Sequence, residues 1–328
     1  MRVTLLIPVY KAERYIAECC QSLFGQTYAH IDYVFYDDCT PDASIDRVKD
    51  VLAHYPQRQD HVRIIRGDRN RGTGYVRQQL VEAVRTEAFA FADSDDRMPP
   101  EAIEHLVGRM QETGTDIVDG AICYWTKGQL QPPILPSHDG QRRYRHKAMC
   151  QNLVAHHLWG RLFRSDILTR VPALFGEGID LAEDYCAMTR LAAVATRSWT
   201  DTPVYHYRVD EQSWFNTQAT ERKMQSYLKA YAKVLAFYRQ RGPLPLALEV
   251  GIMNMYRVCR QNGYPPAAPI DANATHTRQP SATAIDAIVG YRPEHTLARM
   301  LYAMFHSTAI PYALTDKAYR LVRAIAII

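Results

Sequence analysis

The stretch AFAFADSDDRMPP, residues 88–100, decides how this chain is read. Its five apolar residues are short enough for a buried strand, and the acidic run Asp93-Ser94-Asp95-Asp96 follows at once. Pro99-Pro100-Glu101 then opens a helical pattern reaching Met110, with proline where a helix tolerates it. A strand that runs out into carboxylates and then a helix is one half of a β–α–β unit. Working outward, VTLLI (3–7), IDYVFY (31–36) and VRII (62–65) precede helical stretches at 12–24, 43–54 and 74–84, and DIVDGAICYW (116–125) closes the series. Near-continuous apolar strands alternating with helices predict a parallel sheet covered on both faces.

Further on, LWGRLF (158–163) and TPVYHYRV (202–209) are strand-like, and LAEDYCAMTRLAAVA (181–195) is helical. The polar, proline-bearing stretch 126–145 is expected to be a long loop, and beyond 217 the pattern is almost wholly helical, interrupted by a linker at 264–284. The 328 residues, 47% hydrophobic and 23% charged, exclude collagen-like, disordered and small disulfide-stapled classes. A net charge of +4 is too small to imply nucleic-acid binding. No apolar run reaches the ~20 residues of a membrane span, and MRVTLLIPVYKAERY turns charged too early for a signal peptide. Seven cysteines without CxxC spacing read as reduced thiols of a cytoplasmic protein.

Three strands end alike: VTLLI runs into Pro8-Val9-Tyr10, IDYVFY into Asp37-Asp38, and AFAFA into Asp93-Ser94-Asp95-Asp96. Ligands of open parallel sheets bind outside the carboxyl ends of the strands, so neighbouring strands would aim five carboxylates at one place. On a solvated loop such a run favours only the helix dipole. In a cleft it must bind protons or a hard cation such as Mg²⁺ or Mn²⁺, shared with substrate phosphates.

At this point the sequence resembles the family-two inverting glycosyltransferases of GT-A fold over residues 3–208. IPVYKAERYI resembles that family's opening strand and turn, with Lys11 where Asn is common. VFYDDCTPDAS resembles its DDgSxDxS segment through Asp37, Asp38, Asp42 and Ser44. RNRGTGYVRQQ keeps Asn70, Gly72 and Arg77 of N-x-G-x-x-x-x-R-N, with Gln78 replacing the last Asn. FADSDDRMPP is similar to the fDsDD signature, and LAEDYCAM to the later Glu-Asp pair. The implied fold is α/β, a mostly parallel GT-A-like sheet flanked by helices with a C-terminal helical extension. Residues 1–125 would form the nucleotide-sugar half, 126–210 the acceptor half of the same domain, and 211–328 the extension.

The resemblance also implies roles. Pro8 and Tyr10 would line the base pocket, Asp38 would accept from the nucleobase, and Asp37 would orient the ribose or hold the turn. Arg77 would sit by the nucleotide, Asp93 and Ser94 on the donor side, and Asp95 and Asp96 on the metal. Asp184 is the candidate general base, with Glu183 beside it on the acceptor side; the other reading has both merely decorating a helix N-terminus. Trp159 is read either as an acceptor-sugar platform or as a core residue, and His206 as a metal or phosphate ligand or a structural histidine. The expected activity transfers one sugar from a nucleotide-diphosphate donor, UDP by default, to a glycan or lipid-linked glycan in cell-surface polysaccharide or lipopolysaccharide synthesis. Absence of QxxRW disfavours a processive synthase. A haloacid-dehalogenase-like phosphatase and a non-catalytic nucleotide-sugar scaffold are the alternatives.

In PYALTDKAYRLVRAIAII, Leu314, Ala318, Leu321, Val322, Ile325 and Ile328 recur at helical spacing beside Lys317, Arg320 and Arg323. Such a helix could rest on the inner face of a membrane or dock on its own domain.

Overall fold

The computed structural model describes residues 1–150, 153–209, 221–261, 293–306 and 312–327. Strands β1 (Val3–Val9), β2 (Ile31–Asp37), β3 (Val62–Arg66) and β4 (Ala88–Phe91) are parallel and lie side by side in the order β3-β2-β1-β4. Helices α1 (Ile16–Phe24), α2 (Ser44–Leu52), α3 (Thr73–Glu82) and α4 (Ala102–Thr113) follow the four strands in turn. Buried residues run almost unbroken along β1, β2 and β4, as a sheet covered on both faces requires. The register brings the strand ends level: Val9 pairs with Asp37, Asp37 with Arg66, and the Asp38 N–H extends the ladder to the Val9 carbonyl.

The sheet continues through β7 (Arg161–Arg164), antiparallel to β4, then β5 (Ile117–Thr126), antiparallel to β7. Strand β8 (Arg197–Arg208) pairs with β5 in parallel. The stretch expected as a loop begins instead with the short β6 (Gln129–Leu130), folded back on Trp125 and Thr126, and later carries α5 (Gln141–Met149). Helices α6 (Ile167–Arg170) and α7 (Glu183–Val194) separate β7 from β8.

Two compact units are present: Met1–His138, His157–Gly178 and Val194–Thr217 in the first, and Asp139–His156, Ile179–Ala193 and Gln218–Ile328 in the second. The helical unit therefore takes residues 139–156 and 179–193 out of the stretch read as the acceptor half. It holds α8 (Glu221–Arg239) and α9 (Leu246–Gln261), followed by helices Thr296–His306 and Tyr312–Ala326. Within it, Tyr231 stacks on Tyr185 at 4.5 Å. A Cβ on Gly251 would stand 2.1 Å from the Met149 carbonyl oxygen, so glycine lets the two backbones meet. The apolar stripe of the last helix divides: Tyr319, Val322 and Ala326 are buried, whereas Leu321 is 65% and Ile325 46% exposed. Ile328 and the linker 264–284 lie outside the residues described. No described helix is long and apolar enough to cross a membrane.

A buried charge triad holds the β5–β7–β8 side of the first unit. Asp119 accepts from Arg161 Nε at 2.7 Å and from Arg197 Nη1 at 2.8 Å, with all three side chains nearly inaccessible. Burial alone would raise the Asp119 pKa, but the two guanidinium groups overcome it and hold the carboxyl below its usual range. A group whose folded pKa is depressed stabilises the fold above its unfolded pKa, near 3.9, and loses that contribution as pH falls through the folded value. Asp119→Ala, which strands two buried cations, is expected to cost about 3–5 kcal/mol in denaturant unfolding. Acid unfolding of the native chain should begin at lower pH than that of the variant's remaining structure; coincident acid midpoints would remove the triad from this role.

Candidate active site

The first four strands place their carboxyl ends along one edge, and the order β3-β2-β1-β4 puts a topological switch between β1 and β4. Open sheets bind ligands in the crevice outside such a switch. Pro8 and Tyr10 end β1 there, Tyr10 43% exposed, and Asp37 and Asp38 end β2. Asp37 accepts from the Thr40 N–H at 2.8 Å and from Arg66 Nε at 3.2 Å. Asp38 accepts from Asn70 Nδ2 at 2.9 Å and from the backbone N–H groups of Arg71 and Gly72 at 2.8 and 3.0 Å. Both carboxylates, 1% and 3% exposed, thus fasten the turns after β2 and β3. Gly72, at φ 84° and ψ 168°, occupies a region essentially closed to other residues, which is how its N–H reaches Asp38.

The turn after β4 carries Asp93 to Asp96. Arg77, 4% exposed on α3, donates to Asp93 Oδ1 at 3.2 Å. The Asp93 N–H donates to the Tyr205 hydroxyl at 2.9 Å, and that hydroxyl donates to Asp96 Oδ2 at 2.9 Å. The Arg208 N–H reaches Asp96 Oδ1 at 2.7 Å, and its Nε the Asp95 carbonyl at 2.8 Å. Arg97 and His206 exchange backbone hydrogen bonds at 3.2 and 2.9 Å. Glu18 of α1 accepts from both Arg97 and Arg208, and the Arg208 guanidinium lies 4.1 Å from the Trp125 ring centroid and 4.4 Å from that of Tyr15. Asp95 is exposed.

Two expectations are corrected. Asp96 is 1% exposed and both its oxygens are bonded to β8, so it anchors that strand instead of facing a metal. Burial, and then the charges of Asp95 and Asp93, push its pKa well up, against the bonds from the Arg208 N–H and the Tyr205 hydroxyl. Trp159 is 7% exposed and stacked at 3.8 Å on His157, 4.7 Å on Tyr205 and 5.0 Å on Tyr207. It is a core residue, not a sugar platform. Gln78 accepts from the Phe175 N–H and donates to Glu82, so this departure from the family pattern serves packing. His206 is half-buried, and burial, then Arg97, lower its pKa, so the imidazole is neutral at pH 7. Ser94 lies partly buried in the acidic turn. Glu183 and Asp184 open α7 in the second unit, behind Ala182 at φ 62°. Among the described residues, no three His, Cys, Asp or Glu side chains form a group that could hold a metal.

Sequence reasoning overlooked Glu18, Arg97 and Trp125, and in the Tyr205–Arg208 run, read by resemblance as a strand near the diphosphate, it gave a role to His206 alone. The YHYR run was visible at the end of a strand, but nothing local marks its partners 109 to 190 residues away.

The profile of Glycosyl transferase family 2 matches residues 4–170. The chain belongs to this family. Its relatives include the uncharacterized glycosyltransferase EpsJ of Bacillus subtilis (strain 168), 27% identical over 266 residues that cover 79% of this chain and 75% of that one. Residues 1–349 of S. aureus TarS, solved in complex with UDP-GlcNAc, share the fold at a TM-score of 0.69 and 17% identity, covering 99% and 91% of the two chains. The mannosyltransferase PcManGT from Pyrobaculum calidifontis, solved with GDP-Man and Mn²⁺, does so at 0.53 and 16% identity, covering 99% and 85%. The GT-A architecture and a glycosyltransferase activity are thereby established, and the phosphatase alternative falls away.

Lys11 stands at φ 52°, in the left-handed region that asparagine tolerates better than lysine, which gives a backbone reason for the Asn common in this family. Its N–H bond to Thr40 Oγ1, at 2.8 Å, does not depend on the side chain. Lys11→Asn is therefore expected to raise unfolding stability by a few tenths to about 1 kcal/mol. An unchanged or lower denaturation midpoint would show that this turn carries no strain.

Proposed function

We propose that the chain is an inverting transferase moving one sugar from a UDP-sugar to a hydroxyl of a glycan or lipid-linked glycan. The observation that carries this reading is the Asp93–Asp96 turn at the switch beside β1, backed by the Arg77 guanidinium. Asp93 and exposed Asp95 offer hard oxygen donors of the kind that share Mn²⁺ or Mg²⁺ with substrate phosphates, so a ready-made three-ligand cage is not required. Asp95 would hold the cation, with neutral His206 as a further candidate ligand. When bound, the cation would neutralise charge on the departing diphosphate. Pro8, Tyr10 and the Asp38-fastened turn would receive the base, and Asp93 and Ser94 the ribose side.

On the acceptor side, Asp184 would take the hydroxyl proton as the acceptor oxygen attacks the anomeric carbon. The bond from that carbon to the diphosphate breaks, and UDP leaves with the bonding pair. Glu183 would hold the acceptor beside it. Ala182, a non-glycine residue in a left-handed conformation directly before this pair, supports a functional reading, because such strain gathers at functional sites. A lipid-linked acceptor suits exposed Leu321 and Ile325 flanked by Lys317 and Arg320, a face able to rest on an anionic membrane surface.

UDP with Mn²⁺ should raise the melting temperature, since a ligand at one hundred times its Kd adds about 2.7 kcal/mol to the folded state. Asp184→Asn should lower turnover by at least about 10²-fold while leaving UDP-sugar affinity intact. Undiminished turnover would remove Asp184 from the base role. Donor binding without turnover in the native chain, across a panel of glycan acceptors, would favour the scaffold reading instead.

A further inference from the structure

We propose that Tyr205 is a positioning residue for the donor-binding turn, its hydroxyl fixing how Asp93 and Asp95 are presented to a metal–diphosphate. The assignment rests on the donor reading above and adds a residue to it. The hydroxyl is fully buried and does two things at once: it accepts the Asp93 N–H and donates to Asp96 Oδ2, each at 2.9 Å. Around it the rest of the turn is bonded to the same strand: Asp96 to the Arg208 N–H, the Asp95 carbonyl to Arg208 Nε, and Arg97 to His206. The turn itself has one internal backbone bond, from the Asp96 N–H to the Asp93 carbonyl at 3.2 Å.

Three neighbouring carboxyl groups would relax by opening the turn, because like charges about 4 Å apart repel by several kcal/mol near a protein surface. A tether from β8 opposes that opening, and Tyr205 supplies a side-chain link at the Asp93 end. The Trp159 ring, nearly parallel at 4.7 Å, keeps the phenol from turning away.

The test measures UDP affinity calorimetrically with and without Mn²⁺, alongside the melting temperature, for the native chain, Tyr205→Phe and Asp96→Asn. Loss of a hydrogen bond to a charged group is worth roughly tenfold or more in an equilibrium. In Tyr205→Phe the Mn²⁺-dependent gain in UDP affinity, taken as the ratio of affinities with and without the ion, is expected to shrink by about that factor. Asp96→Asn, which leaves one acceptor oxygen for two donors, the Tyr205 hydroxyl and the Arg208 N–H, should move the same way. A lower melting temperature with the full Mn²⁺ gain retained would overturn the assignment and leave the hydroxyl an ordinary core hydrogen bond. A native chain whose UDP affinity ignores Mn²⁺ would overturn the donor reading itself, and with it the role of Tyr205, independently of either variant.

Discussion

Crowding of negative charge at the carboxyl edge of the sheet is the constraint that the rest of the first unit answers. Asp37, Asp38, Asp93, Asp95 and Asp96 lie at that edge because β2 and β4 flank β1 in parallel and run out toward it, Asp37 opposite Val9 and Phe91 opposite Leu6. Each of four carboxylates meets a defined donor set: Arg66 and Thr40, the 70–72 loop, Arg77, and the end of β8. Exposed Asp95 stands at the front of the turn. The acidic edge is therefore mostly architecture, and the architecture is what allows one carboxylate to face solvent in a fixed place. Without those donors the same charges would repel by several kcal/mol and the turns would open.

Legibility followed the range of the interactions. The strands, their order of appearance and the acidic turns could be read because apolar runs and β–α alternation are local patterns, and the parallel sheet follows from them. The antiparallel β7 between β4 and β5 could not be read, because strand pairing depends on which apolar faces meet. Side-chain partners were less legible still. FADSDD identifies where a carboxylate stands in the chain but not whether it points inward, and Asp96 is turned inward by Tyr205, 109 residues later. Trp159 carried two readings because an indole in a strand looks the same in sequence whether sugar or His157 and Tyr205 cover it.

The departures from the family pattern show how a motif tolerates exchange. Gln78 retains an amide, and that amide joins the backbone of Phe175 to Glu82, a packing task in which one methylene more is accommodated by reach. Lys11 is another kind of exchange. Its backbone, not its side chain, makes the bond to Thr40, so the residue type matters through the left-handed φ it must adopt. Cys39, at φ 56°, shows the same tolerance at the neighbouring turn. Both turns are anchored from outside, by Thr40 and by the Asp42–Ser44 hydrogen bonds, so conformations costing about 1–2 kcal/mol each are held in place.

The group at the centre of the β8 tether has little chemical latitude. It must accept from a main-chain N–H and donate to a carboxylate, which excludes lysine, a donor alone, and a carboxylate, an acceptor that would add a further negative charge. It must also reach from a fully buried strand position to the rim of the sheet, beyond the length of serine or threonine. A phenol satisfies both demands, provided its ring is fixed in plane. Trp159 gives that support, so burial of the indole serves the acidic turn through the ring of Tyr205. The residue that failed as a sugar platform thus acquires a physical role one layer deeper, through the tyrosine it holds.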